Sequence, residues 1–227
     1  MAEVGAVLVH GLWHGAWAWD AVRARLEAAG VPSAAVELPL TGLDDDVAAT
    51  VATLDRFGKP AVLVGHSYGG AVVTAAGEHP HVTRLLYLAA FALAEGESVG
   101  RALPDRDIPP TDLGDALRFS GNGQQVSVDP ALATGLFYAD APAVAAAAAV
   151  ARLRPVHRSV FRGVPTTVAW RQKPATYVVC ADDRAVHPDL QRAMAERAGD
   201  RREWPGGHTP ILTRPAEVAD LIAALAR

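Results

Sequence analysis

Ser67, an aspartate at position 182 or 183, and His208 are the residues whose types and order could do nucleophilic chemistry. A serine hydroxyl is a weak nucleophile until a base takes its proton, and the base needs an acid to orient it. Ser67 stands in Gly65-His66-Ser67-Tyr68-Gly69, after the apolar run Ala61–Val64 and before the helix-like Gly70–Glu78. A G-x-S-x-G between a strand and a helix lifts its serine on a tight turn. Side chains on both flanks must then be absent, which Gly65 and Gly69 supply. The turn also puts a helix N-terminus under the hydroxyl, where partial positive charge favours a developing anion.

In this arrangement the partners follow in the order serine, acid, histidine, each on a loop after a strand. Ala175–Cys180 runs into Ala181-Asp182-Asp183-Arg184-Ala185-Val186-His187-Pro188, and Arg201–Trp204 runs into Pro205-Gly206-Gly207-His208. His208 is the expected base, with His187 as a fallback. Either aspartate serves as the acid, because a one-residue change swaps side-chain direction. The transition state also needs two backbone N–H groups aimed at the developing oxyanion. One follows from the turn, the N–H of Tyr68. The other belongs to the loop His10-Gly11-Leu12-Trp13-His14, where Gly11 lets the backbone come close and Leu12 offers the next N–H.

Trp13, His14, Phe91, Phe119, Phe137, Tyr138 and Trp170 are candidate pocket residues, being large or polar and near the site or within the irregular middle of the chain. Trp17 and Trp19 read as packing for the first helix. His66 occupies the variable position of the turn, while His79, His81 and His157 read as solvated. Asp44-Asp45-Asp46 reads as a helix start interacting with the helix dipole. No His, Cys and carboxylate cluster has zinc-ligand spacing, so neither a metal nor an organic cofactor is expected.

The elements that must position these groups alternate. Strands are expected at Val4–Val9, Ser33–Leu38, Ala61–Val64, Leu85–Ala90, Ala175–Cys180 and Arg201–Trp204. Helices are expected at Asp20–Ala29, Asp44–Phe57, Gly70–Glu78, Pro188–Ala198 and Pro215–Ala226. Strands alternating with helices imply a parallel sheet covered on both faces. From about 91 to 171 the rhythm gives way to loop chemistry (Pro104, Pro109, Pro110, Gly114, Gly121-Asn122-Gly123), short helices and the alanine-rich Ala141–Arg154. An insertion of this length is expected to be a lid over the site.

The 227 residues suit one well-cored α/β domain. A net charge of −4 argues against a nucleic-acid partner. The single Cys180 excludes an internal disulfide framework. Met1-Ala2-Glu3 leads into Val4–Val9 without a basic leader, and the apolar Val144–Ala151 is too short to span a bilayer. The expectation is a cytoplasmic chain with no membrane partner.

Taken together, His10-Gly11 before His14-Gly15-Ala16-Trp17, the turn at Ser67, Cys180-Ala181-Asp182-Asp183 with Pro188, and Gly207-His208 resemble the α/β-hydrolase superfamily. The likeness is nearest to the branch of plant methyl-ester esterases, such as the methyl salicylate esterases, and hydroxynitrile lyases. It covers the whole chain. It implies an α/β-hydrolase fold, a mostly parallel sheet with helices on both faces and a helical lid. The acid of that family ends a G/C-x-x-D pattern, which falls on Asp183, with Asp182 the alternative. The implied activity is cleavage of a small, largely apolar carboxylic ester or lactone through Ser67, His208 and Asp183, with Leu12 and Tyr68 N–H groups as the oxyanion hole. Hydroxynitrile lyases of the branch carry a threonine after the first-strand histidine and a lysine after the catalytic histidine. This chain has Gly11 and Thr209 there. The alternatives are such a lyase, another non-hydrolytic tailoring enzyme, or a ligand receptor on the same scaffold. Relatives often pair through the lid side, so a homodimer is also implied.

Overall fold

Alternating apolar side chains explain why this sequence makes a sheet that must be covered twice. In β1 (Gly5–Val9), Ala6 and Leu8 point to one core, while Val7 and Val9 point to the other. The same alternation sends Val62 and Val64 one way and Ala61 and Leu63 the other in β3 (Ala61–His66). Strands buried on both faces belong inside a parallel sheet. The structure is a computed structural model that describes residues 4–103 and 106–227. The start Met1-Ala2-Glu3 and the loop residue Pro104 lie outside the described residues.

The remaining strands of the main sheet are β2 (Ser33–Val36), β4 (Val82–Leu88), β8 (Ala175–Cys180) and β9 (Asp200–Trp204). All six run parallel in the order β2-β1-β3-β4-β8-β9. The edge strand β9 exposes Arg201, Arg202 and Glu203, charges that discourage pairing with another chain. One face is covered by α1 (Asp20–Ala28), α8 (Pro210–Thr213) and α9 (Pro215–Leu225), which bury Val22, Leu26, Ile211, Val218 and Ile222. The opposite face carries α2 (Leu43–Phe57), α3 (Gly69–Ala76) and α7 (Pro188–Ala195). Each expected element is present, with ends moved by at most three residues.

Between β4 and β8 lie the short helices α4 (Leu113–Ala116), α5 (Pro130–Phe137) and α6 (Ala143–Val150), as the sequence suggests. The segment also contains a three-stranded antiparallel sheet that the sequence reading missed: β5 (Leu117–Ser120), β6 (Gln125–Val128) and β7 (Val156–His157). The hairpin turn between β5 and β6 is Gly121-Asn122-Gly123, all at positive φ (56°, 55° and 77°). Gly and Asn tolerate that region best, so the tripeptide read as loop is the hairpin signal itself. Among the described residues, no helix is long and apolar enough to cross a membrane.

Candidate active site

Ser67 occupies the junction of β3 and α3 with φ 54°, a left-handed conformation that a non-glycine residue adopts only when its surroundings impose it. They do so here through close backbone contact. A Cβ on Gly65 would lie 2.6 Å from the Gly69 carbonyl oxygen, and one on Gly69 would lie 2.5 Å from the Val9 carbonyl oxygen. The Ser67 carbonyl accepts from the N–H groups of Gly70 (2.9 Å) and Phe91 (3.0 Å), while its own N–H donates to Leu88 O (3.2 Å). The strained turn is thus braced from three sides.

His208 follows β9 and is 3% exposed; its Nδ1 lies 2.7 Å from Asp183 Oδ2. That carboxylate is also buried, and four donors satisfy it. Oδ1 accepts from Ala185 N (2.7 Å) and Val186 N (2.9 Å), and Oδ2 accepts from His208 and from Gln191 Nε2 (2.7 Å). A buried charge left short of partners would be costly, so this set is what permits a carboxylate there. The adjacent Asp182 faces solvent and accepts from Gly206 N (2.8 Å). The tight turn after β8 points the two side chains apart. His187, the fallback base, caps α7 by accepting from Asp189 N (3.1 Å). Gln191, absent from the sequence reading, also donates to Val186 O and accepts from Cys180 N. The signal available was a glutamine on the apolar face of a helix next to the aspartate pair.

The loop after β1 meets Ser67 at Gly11: a Cβ there would stand 2.9 Å from Ser67 Cβ and 3.3 Å from its Oγ. Among the described residues, neither Leu12 N–H nor Tyr68 N–H has a hydrogen-bond acceptor in the protein. Both residues line a cavity of about 700 Å³ that also includes Ser67 and His208.

Buried histidines shape this floor. His10 Nε2 accepts from Leu38 N (3.1 Å), so Nδ1 carries the proton it donates to Gly11 O (2.8 Å). His14 donates from Nδ1 to Leu12 O (2.8 Å) and accepts from the Tyr138 hydroxyl at Nε2 (2.7 Å). Burial lowers their pKa values to about 3 and about 4, keeping both rings neutral. His66, also held well below the usual range by burial, donates from Nε2 to His208 O (2.8 Å) and packs 4.8 Å from that ring.

Of the seven aromatic or polar pocket residues expected, Trp13, Phe91 and Phe137 line the cavity. His14 and Tyr138 do not: they bond to each other beneath the floor. Phe119 is 64% exposed: it shares a strand face with Leu117, which lines the cavity, but lies two residues further toward the hairpin turn. Trp170 braces the segment after β4, donating to Leu93 O (2.8 Å) beside Arg171 and Arg197. Much of the remaining lining is apolar, including Val99, Ile108, Leu113 and Phe161, with Arg101, Arg106, Thr111 and His187 also present. Trp19 is buried on the sheet as expected, and Trp17 stacks on His14 at 5.5 Å. The three histidines expected in solvent are half-buried instead. His79 meets Asp55 and His81 meets Leu54 O at the end of α2, while His157 bonds Ser159. Asp46 lies in the first turn of α2, as expected of a helix start, and is fully buried.

The alpha/beta hydrolase family profile matches residues 6–221. The chain is 27% identical over 259 residues to putative methylesterase 14, chloroplastic, of Arabidopsis thaliana, covering 97% of this chain and 71% of that protein. It is 26% identical over 252 residues to an alpha-hydroxynitrile lyase of the same plant, covering 97% and 96%. Among solved structures, polyneuridine aldehyde esterase superposes with a TM-score of 0.86 over 100% of both chains at 20% identity. With the sheet order, the strained serine and the profile match in agreement, the chain belongs to the alpha/beta hydrolase family.

Proposed function

We propose that this chain is an esterase-type serine hydrolase that cleaves a small, largely apolar carboxylic ester or lactone. The observation that carries the reading is Ser67, held at φ 54° in the wall of a largely apolar cavity it shares with His208, whose Nδ1 meets the buried Asp183 at 2.7 Å. Asp183 holds the proton of His208 on Nδ1, which leaves Nε2 bare as the base. Ser67 Oγ attacks the ester carbonyl as Nε2 takes its proton. The carbonyl oxygen gains the negative charge and meets the N–H groups of Leu12 and Tyr68. The tetrahedral intermediate collapses, the C–O bond breaks, and the imidazolium returns its proton to the leaving alcohol. Water then attacks the acyl-enzyme by the same route and releases the acid.

The methylesterase similarity supports ester cleavage. Against the lyase chemistry of the other relative stand two positions. Thr209, where a cation would be needed beside departing cyanide, is a neutral, fully buried residue. Gly11 has no room for a threonine, whose Cβ would fall 2.9 Å from Ser67 Cβ. The insertion at 91–171 acts as the lid that sets the acyl group accepted. The reading includes a cytoplasmic, cofactor-free enzyme with no nucleic-acid or membrane partner, and pairing as a homodimer through the lid side.

Intact mass after treatment with a fluorophosphonate tests the reading, run beside Ser67→Ala with p-nitrophenyl butyrate turnover. One adduct and ester turnover, both lost in Ser67→Ala, are expected. Turnover that survives Ser67→Ala would overturn it.

A further inference from the structure

The floor of the site contains a buried carboxylate that the mechanism above does not use. Asp46, in the first turn of α2, is fully buried. Its Oδ2 accepts from the Tyr68 hydroxyl at 2.5 Å and its Oδ1 from Leu40 N at 2.7 Å. Each partner leads to one half of the oxyanion hole. Tyr68 is the residue after Ser67, and its backbone N–H is one donor. Leu40 sits at φ 57°, a strained position for a branched side chain, two residues after Leu38. Leu38 N in turn donates to His10 Nε2, and His10 Nδ1 donates to Gly11 O, the carbonyl of the peptide whose N–H belongs to Leu12. One carboxylate is therefore bonded directly to the residue that supplies one donor, and it is linked to the loop that supplies the other through Leu40, Leu38 and His10.

We propose that Asp46 is a positioning residue that sets the spacing and aim of the Leu12 and Tyr68 N–H groups toward the oxyanion. The inference rests on the reading of those two groups as the oxyanion hole. The physical reason for a carboxylate is its acceptor count: two oxygens can accept two donors at once, with no competing donor of its own. A solvated helix start would be served equally by Asp44 or Asp45, which are exposed. Burying the third aspartate is costly unless its bonds do something. An oxyanion hole acts only on the transition state, so a misaimed donor lowers kcat and leaves substrate binding nearly intact.

The test is a cycle of Asp46→Ala, Tyr68→Phe and the double variant, with Asp46→Asn as the conservative change. Kinetics with p-nitrophenyl butyrate are paired with inhibition by an alkyl trifluoromethyl ketone, which forms a tetrahedral adduct, and by butyrate, which does not. Near-UV circular dichroism checks folding, and Tyr68→Phe with Asp46→Asn carry the test if Asp46→Ala does not fold. The expected result is a kcat lowered about tenfold in Asp46→Ala and Tyr68→Phe, with KM within about twofold. Trifluoromethyl ketone affinity should fall in parallel, butyrate affinity should hold, and the double variant should be no worse than either single one. Asp46→Asn, whose oxygen still accepts from Leu40 N and whose amide can donate to the Tyr68 oxygen, should recover most of kcat. An unchanged kcat in folded Asp46→Ala or in Tyr68→Phe, a loss confined to KM, or ketone affinity that does not follow kcat would overturn the inference. If Ser67→Ala keeps its turnover, the underlying reading fails instead, which separates the two outcomes.

Discussion

The floor and the roof of the cavity are built by different physics. The floor is made of loops at the C-terminal ends of β1, β3, β8 and β9, where polar groups are buried and bonded: Asp183 with four donors, His10 and His14 with both ring nitrogens engaged. Backbone approaches there are so close that single glycines decide them. The roof, from the loop after β4 through the small sheet and α5, meets the cavity mainly with apolar side chains such as Val99, Leu117 and Phe161. Polar bonds need fixed angles and distances, whereas apolar contact needs only filled volume. The floor is therefore suited to chemistry, and the roof to choosing what fits. Trp13 and Arg154 join the two. Trp13 Nε1 donates to Val126 O (3.1 Å), and the Arg154 guanidinium bonds His14 O, Leu38 O and Glu37.

The comparison is broken most severely at its centre. Ser67→Ala should lower kcat/KM for p-nitrophenyl esters by about 10³-fold or more while thermal stability holds, as measured by steady-state kinetics and calorimetry. Next come the neighbouring aspartates. Asp183→Asn should cost about 10²–10⁴-fold in kcat, since an amide cannot hold His208 in the same tautomer, whereas Asp182→Asn should stay within about twofold. Equal losses from the two would contradict the division between buried and exposed carboxylate. The roof should respond differently: Phe137→Ala is expected to shift preference toward longer acyl chains by about tenfold in relative kcat/KM, read across acetate to octanoate esters. A uniform loss across the series would place Phe137 with the catalytic floor.

The last effect is on stability rather than on rate. Burial raises Asp46 from 3.8 to about 6. The folded state then holds more protons than the unfolded one between those values, so this group destabilises the fold as pH rises from about 4 to 6, by up to about 3 kcal/mol. His10 and His14 act with the opposite sign. Their lowered values mean that stability is lost as pH falls below 6.5 toward 4 and 3. Urea unfolding of Asp46→Asn against the natural chain should isolate the first contribution. The variant's stability relative to the natural chain should increase between pH 4 and pH 7, and a difference independent of pH would contradict it.

What could be read directly from the chain is what local chain geometry dictates. Continuous apolar runs select a doubly covered sheet whatever lies beyond them, and G-x-S-x-G between a strand and a helix marks a strained turn at Ser67. His208 and the aspartate pair were legible because strand-then-loop order brings them to the same sheet end. Choices that depend on which way one side chain points at long range were decided by the tertiary structure. Asp183 is selected over Asp182 by Gln191 and two N–H groups on the following turn. Phe119 is left exposed near the hairpin turn, while Leu117, two residues earlier on the same strand, lines the cavity. Asp46 looks like its two acidic neighbours until α2 packs against the serine turn and Tyr68 finds it. Periodicity records which face of an element is apolar; only packing brings together partners as far apart as Asp46 and Tyr68, 22 residues away, or His14 and Tyr138, 124 residues away.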